Sequence, residues 1–379
     1  MHRTLILVAS LTFVAADASH AAPLPGLTLG PGGAVLREGR PYRGLGINYF
    51  SCFLRCLYKP ADTSYEAGFQ TLAEHGIPFA RFCACGFWPR DMRLYQEDRA
   101  EYFRLLDGVV RCAERRGLGL IPSLFWHHPC VPDLVGEPCN QWGNPQSKTH
   151  AFMRQYVQEV VTRYKDSPAI WAWEFGNEYN LAADLPNAAE HRPAVWPKLG
   201  TAAQRTEQDD LTSEMLVVAW REFAREVRKY DAHRLIGTGN SILRDWAWHN
   251  RSERSWKPDT PEQFAEMLTL CTPEPIDLIS VHCYEKALNR VEQVTAAARQ
   301  LGKPLFVGEF QVNAPDSAEA RPALQAFLAE LDRLAVPLAA VWVFDLPSQE
   351  KDFNISASNG RAWQLPVLGE WNKRLQSSR

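Results

Sequence analysis

Apolar positions along this chain recur with two different spacings, and from residue 46 onward the two alternate. Tyr102, Leu105, Leu106, Val109, Val110 and Ala113 follow the i, i+3, i+4, i+7 spacing that gathers side chains on one face of an α-helix, as do Phe152, Tyr156, Val157, Val160, Val161 and Tyr164. Gly117 stops the first helix and Asp166-Ser167-Pro168 the second. Between helical stretches lie short, nearly continuous apolar runs: "GLGINYF" from Gly44, "PFARFCA" from Pro78, "LGLIPSLF" from Leu118 and "AIWAWEFG" from Ala169, then "HRLIGTG" from His233, "DLISVHCY" from Asp277, "KPLFVGEF" from Lys303 and "LAAVWVFD" from Leu338. Strands that are apolar on both faces belong to parallel sheets covered by helices. Eight such units in 379 residues predict an α/β fold, and a closed (β/α)8 TIM barrel in preference to a doubly wound open sheet.

Ahead of the first strand, "AVLREGRPYRG" reads as a short hairpin capping the bottom of the barrel. Two connections exceed what a barrel requires. Tyr179 to about Ser213 follows the fourth strand and carries Trp196; Ser241 to about Pro261 follows the fifth and carries Trp246, Trp248 and Trp256. Loops that follow barrel strands lie on the face where such folds place their chemistry. With no internal repeat, low-complexity stretch or linker, one domain is expected.

The N-terminus changes the picture. Arg3, an apolar run from Leu5 to Ala16 and small residues at Ser19 and Ala21 make residues 1–21 an expected signal peptide, leaving a catalytic domain at 22–379 that is secreted or periplasmic. A transmembrane anchor needs about 20 apolar residues, so no membrane association is expected after cleavage. Export would allow disulfides among the nine cysteines, and Cys130 and Cys139, which flank a loop rich in Pro and Gly, are the expected pair. His127, His128 and Cys130 match no common zinc spacing, and neither metal nor cofactor is expected. A net charge of −3, scattered basic residues and no Gly-rich phosphate loop exclude nucleic acid as a partner.

The candidate chemistry sits at strand ends. In "WAWEFGNEYN", strand alternation puts Glu174 and Glu178 on one side of the fourth strand and Trp171, Trp173 and Phe175 on the other. Glu178 falls at the strand's C-terminal end. Glu174 falls inside the barrel, where Arg81 of the second strand is the expected partner. A second terminal carboxylate, Glu309, ends the seventh strand. Two carboxylates on one rim suit cleavage of a glycosidic bond: one protonates the leaving oxygen while the other attacks or activates water. Arg81, His127 or His128, Asn177, His282, Tyr284 and Trp342 also stand at strand ends, and among thirteen tryptophans Trp88, Trp126 and Trp248 are the further candidates for stacking on sugar.

This series resembles glycoside hydrolase family 5, the cellulases, mannanases and related retaining β-glycosidases of clan A. The family's set of Arg, His, Asn-Glu, His, Tyr, Glu and Trp is matched by Arg81, His127 or His128, Asn177-Glu178, His282, Tyr284, Glu309 and Trp342, over nearly all the chain beyond the signal. "WAWEFGNEYN" also resembles the Trp-Glu-x-x-Asn-Glu run of the mannanase branch. Tyr179 replaces the proline that many members carry after Asn-Glu, and "FWHHPC" does not align cleanly with the usual third-strand histidine.

The resemblance implies a double-displacement hydrolase of β-1,4-glucan or β-mannan. In it Glu178 is the acid/base, Glu309 the nucleophile, Asn177 the 2-hydroxyl ligand, His282 the partner that positions the acid and Trp342 the stacking floor. It further implies that Arg81 and Tyr284 keep Glu309 ionised while desolvation keeps Glu178 protonated. Endo action is the leading expectation, with exo action as the alternative should the loops after strands four and five wall the cleft. A non-catalytic polysaccharide-binding barrel could dispense with either carboxylate, and an aldolase-type barrel needs a strand-end lysine, which none of the eight strands has.

Overall fold

The computed structural model describes residues 24–312 and 317–377, and the expected signal peptide at 1–21 lies outside them. All eight expected runs form strands: β1 (Gly44–Asn48), β2 (Phe79–Cys83), β3 (Gly119–Phe125), β4 (Ala172–Gly176), β5 (Leu235–Gly237), β6 (Ile279–Tyr284), β7 (Leu305–Gln311) and β8 (Leu338–Val341). They pair in parallel in the order β5-β4-β3-β2-β1-β8-β7-β6. A parallel bridge from Gly237 to Leu278 spans the remaining seam, and the Asp277 and Leu278 amides donate to the Ile236 carbonyl, so the barrel is all but closed.

The two amphipathic stretches form helices at Arg99–Arg115 and Lys148–Tyr164. Each has a side-chain N-cap, Asp98 accepting from the Glu101 amide and Ser147 from the His150 amide, which satisfies a donor the helix leaves unpaired. Their buried faces meet where the Tyr102 and Tyr156 hydroxyls hydrogen-bond at 2.6 Å.

Leu27–Leu29 joins the expected hairpin to make a three-stranded antiparallel sheet under the barrel. Leu27, Val35 and Tyr42 close an apolar plug with Phe79, Ile121, Leu235, Leu278, Phe306 and Leu338 from the barrel interior. Trp171 belongs to this plug rather than to the helix side with Trp173 and Phe175. It precedes the first residue of β4, so strand alternation does not govern it.

All nine cysteines are buried free thiols, and the expected Cys130–Cys139 bridge does not form. Cys130 Sγ instead contacts the Gly86 carbonyl at 3.5 Å. The two long connections run from β4 to a helix at Ser213–Tyr230 and from β5 to one at Pro261–Leu270.

Candidate active site

Above the apolar plug the barrel interior turns polar, and Arg81 organises that layer. Its Nε donates to Glu174 Oε1 at 2.7 Å, the expected pair. Nη1 donates to Asn48 Oδ1 at 3.0 Å and Glu309 Oε1 at 2.7 Å, and Nη2 to Asn177 Oδ1 at 2.8 Å. The guanidinium is fully buried and lies 4.3 Å from the Trp126 ring centroid, an aromatic face that favours a cation. Partners from three other strands, β1, β4 and β7, thus converge on one planar group whose fork geometry orients each of them.

Glu309 reaches this cluster through a defect in β7. Phe306 faces the interior plug, so strict alternation would send residue 309 toward the helices. A bulge between Val307 and Glu309 resets the alternation: Glu309 pairs with His282 inside, and Phe310 packs outward with its ring 5.1 Å from Phe327. Tyr284 hydroxyl then donates to Glu309 Oε2 at 2.6 Å.

Glu178 is placed by the turn after β4. Its φ of +54° lies in the left-handed region, uncommon for a residue with a side chain, and its amide donates to the Gly239 carbonyl at 2.8 Å. Gly239 has to be glycine, because a Cβ there would sit 1.9 Å from the Gly176 carbonyl oxygen. His282 Nδ1 lies 3.0 Å from Glu178 Oε1 and 3.6 Å from Glu309 Oε1. One oxygen of each carboxylate and a ring nitrogen of His282 all fall within 4.8 Å of one another.

The two carboxyls are shifted in opposite directions. Burial raises the pKa of Glu309 and the neighbouring Glu178 charge adds to this, while His282, Arg81 and Tyr284 only partly offset the rise. Burial also acts on Glu178, but the bond and charge from His282, with Ser241 and Arg81, outweigh it and leave Glu178 below its ordinary value. This is the reverse of the split expected from the sequence. The reason is that burial prevails at Glu309, despite His282, whereas at Glu178 the hydrogen bond and charge of His282 prevail over burial.

Both carboxylates open into a cleft of about 740 Å³, also lined by Asn177, Tyr284, Trp126 and Trp342. Phe50, Arg55, Tyr58, Gln311, Leu346, Gln349 and Phe353 complete much of the wall, and none of them was singled out in the sequence. Phe50 and Gln311 lie within two residues of a strand end and the others five to twelve residues past one, with no pattern in the sequence that singles them out.

Four candidates stand elsewhere. His127 stacks on Phe87 at 4.5 Å and packs edge-on to Trp88 at 4.9 Å, while His128 sits edge-on to Tyr179 at 5.6 Å. Burial lowers the His127 pKa to about 4 and the His128 pKa to about 3, so both are neutral at ordinary pH. Trp88 lies behind Phe87, and Trp248 donates from Nε1 to Glu266 at 3.0 Å. None of the four lines the cleft.

The model of the family described as Cellulase (glycosyl hydrolase family 5) matches residues 38–343. A probable mannan endo-1,4-beta-mannosidase C from Aspergillus terreus is 33% identical over 159 residues, which are 38% of this chain and 34% of that protein. The match thus spans about a third of the relative's length. An endo-1,4-beta-mannanase from Rhizomucor miehei has the same fold, with a TM-score of 0.67 at 17% identity over 93% of this chain and 100% of that one. So does the exo-beta-1,4-mannosidase of Opitutaceae bacterium strain TAV5, with a TM-score of 0.63 at 18% identity over 92% of this chain and 63% of that one.

Proposed function

The chain belongs to glycosyl hydrolase family 5, and from that premise we propose that it is a retaining β-glycosidase acting on β-1,4-mannan and its oligosaccharides. The observation that carries this reading is the pair Glu178 and Glu309, from β4 and β7, facing one cleft with an oxygen of each within 4.8 Å of the other. Retaining enzymes hold the two carboxyls about 5–5.5 Å apart, whereas inverting enzymes leave about 6.5–9.5 Å for a water. The mannan-cleaving relatives favour mannan over glucan as the substrate.

Glu309 is the nucleophile in this reading. Arg81 and Tyr284 each bind one of its oxygens, which fixes the carboxylate's orientation and leaves its remaining lone pairs for attack on the anomeric carbon. Glu178 is the acid that protonates the leaving oxygen and then the base that activates water. Asn177 has its oxygen tied to Arg81, so its amide N–H groups face the 2-hydroxyl of the sugar. Trp342 and Trp126 supply apolar faces for the pyranose ring.

In the resting pair the pKa of Glu309 is raised and that of Glu178 lowered, and substrate binding shifts this balance. Glu178 keeps a 29% exposed side chain against 5% for Glu309, so a sugar filling the cleft desolvates Glu178 the more and raises its pKa toward that of a proton donor. The two carboxyls titrate as a coupled unit.

Export of a single domain from 22 to 379 belongs to the same reading; among the described residues no helix is long and apolar enough to cross a membrane. The experiment that tests the function is hydrolysis of β-1,4-mannohexaose followed by proton NMR. The β-anomer appearing first, before mutarotation, supports the proposal; an α-anomer appearing first, or no cleavage, refutes it.

A further inference from the structure

The loops after β4 and β5 do not wall this cleft: none of the residues between Glu178 and Tyr284 in sequence lines it. The opposite side is walled by the segment after β8, which presents Leu346, Ser348, Gln349 and Phe353. That segment is held at three points. Phe344 bridges Ile355 in parallel, the Asp345 amide donates to the Ile355 carbonyl at 2.8 Å, and the Leu346 amide donates to Asn354 Oδ1 at 2.7 Å, which folds the segment back on itself. Gln349 Oε1 accepts from Trp342 Nε1 at 2.7 Å, and the Phe353 ring packs 5.9 Å from that of Tyr284. The wall therefore leans on two residues of the candidate site.

The third point is a latch to the segment after β1. Arg55 uses all five of its N–H groups within the protein. Nε donates to the Ser51 carbonyl at 3.3 Å, Nη1 to Ser64 Oγ at 2.8 Å and Asp345 Oδ2 at 2.7 Å, and Nη2 to Ser51 Oγ at 2.9 Å and the Asp345 carbonyl at 2.8 Å. Tyr49 hydroxyl adds a 3.0 Å bond to Asp345 Oδ2. Asp345 itself has φ +51°, a conformation that a side-chain-bearing residue keeps only when its surroundings hold it. Arg55 lines the cleft, yet it has no N–H left to bind a substrate. Its role is to tie two loops together.

We infer that the Arg55–Asp345 latch and the wall behind it set the length of the released fragment, so that the enzyme removes one or two sugar units from the non-reducing end of its substrate. The inference rests on the two-carboxylate reading above. The leaving group must extend past the acid, Glu178, where the cleft is open. The glycone would lie over Glu309 and Trp342, toward the side of the cleft lined by Leu346, Ser348, Gln349 and Phe353. Arg55 and Asp345 are positioning residues for specificity and touch no reacting atom.

The test is cleavage of β-1,4-mannohexaose tagged at its reducing end, read by chromatography at low conversion, alongside an aryl β-mannoside. Wild-type protein should give a tagged ladder shortened by one or two units. In Arg55→Ala and in Phe353→Ala, each first shown to be folded by circular dichroism, the share of tagged di- and trisaccharide among first products should rise at least fivefold. Mid-chain cutting by the wild type would overturn the inference and leave the glycosidase reading intact. A ladder unchanged in both variants would overturn the latch as its cause. Failure to cleave both the oligosaccharide and the aryl mannoside would refute the two-carboxylate reading, and the inference would fall with it.

Discussion

Two parts of the same barrel rim carry titratable side chains and differ in what surrounds them. At the ends of β4, β6 and β7, Glu178, His282, Tyr284 and Glu309 exchange hydrogen bonds over a cleft, with Arg81 beneath. Past the end of β3, His127 and His128 are enclosed by Phe87, Trp88 and Tyr179. Desolvation acts in both parts. In the first it is met by charge and hydrogen bonds, which sets carboxyls against each other in pKa; in the second it is met by aromatic carbon, which leaves imidazoles neutral and removes them from acid–base work. Partners, not residue type, separate a reactive group from a packed one.

The largest effect should come from Glu309→Gln, which keeps shape and hydrogen-bonding capacity but not nucleophilicity. Steady-state rates on mannohexaose should fall roughly 10⁴-fold or more, the scale on which enzymes lose activity with a covalent nucleophile. A variant keeping a tenth of wild-type turnover would remove Glu309 from that role.

Glu178→Ala should discriminate between substrates. Loss of a general acid costs about 10²–10⁴-fold where the leaving group needs a proton, and much less where it does not. The loss of kcat/KM should accordingly be large for mannohexaose and small for an aryl mannoside with an acidic phenol. Equal losses on both would contradict the acid role.

Arg81→Met strips charge from the hub and leaves Glu174 and Glu309 buried without it. Breaking one side of a buried ion cluster costs about 3–5 kcal/mol, to be read as a lower denaturation midpoint in urea together with lost activity. A midpoint unchanged from wild type would show that the polar layer does not depend on Arg81.

A smaller effect is expected on pH dependence. His282 favours the ionised form of Glu178, so its removal raises the Glu178 pKa. The active form carries the proton on Glu178, and the basic limb of kcat/KM reports its loss. In His282→Ala that limb should therefore move to higher pH. A shift to lower pH would contradict the geometry.

The smallest effect falls on the other part of the rim. The His127 pKa is lowered from 6.5 to about 4, so the unfolded chain takes up its proton first as pH falls below about 6.5. The stability from keeping this imidazole neutral is fully present above pH 6.5 and is lost progressively as pH drops toward 4. His127→Phe should leave kcat within a few-fold and reduce the fall in Tm between pH 7 and pH 4.5. An acid-induced fall as steep as in the wild type would show that His127 does not drive it.

Much of this was legible in the sequence because it rests on periodicity. Strand runs such as "LFVGEF" and the helix face from Tyr102 to Ala113 depend on local burial, and they delivered the barrel with its eight strands in register order. The pairing of Arg81 with Glu174 followed from the same alternation. What remained hidden depends on departures from periodicity or on distant neighbours. The bulge in β7 that turns Glu309 inward carries no pattern of its own, and neither does the latch between Arg55 and Asp345, 290 residues apart. Tryptophan count was a poor guide: Trp126 and Trp342 line the cleft, whereas Trp88 packs behind Phe87 and Trp248 is turned toward Glu266. The reversed carboxyl pKa values were out of reach for the same reason, since they depend on which oxygen His282 approaches.

The most direct test of the two-carboxylate account is to incubate the protein with 2-deoxy-2-fluoro-β-mannosyl fluoride and measure its intact mass. The fluorine slows both displacement steps and the fluoride leaving group speeds the first, so a covalent intermediate accumulates. The account predicts a mass increase of one fluoromannosyl unit, mapped by peptide fragmentation to Glu309. A label on any other residue, or an unlabelled protein that still turns over mannohexaose, would contradict it.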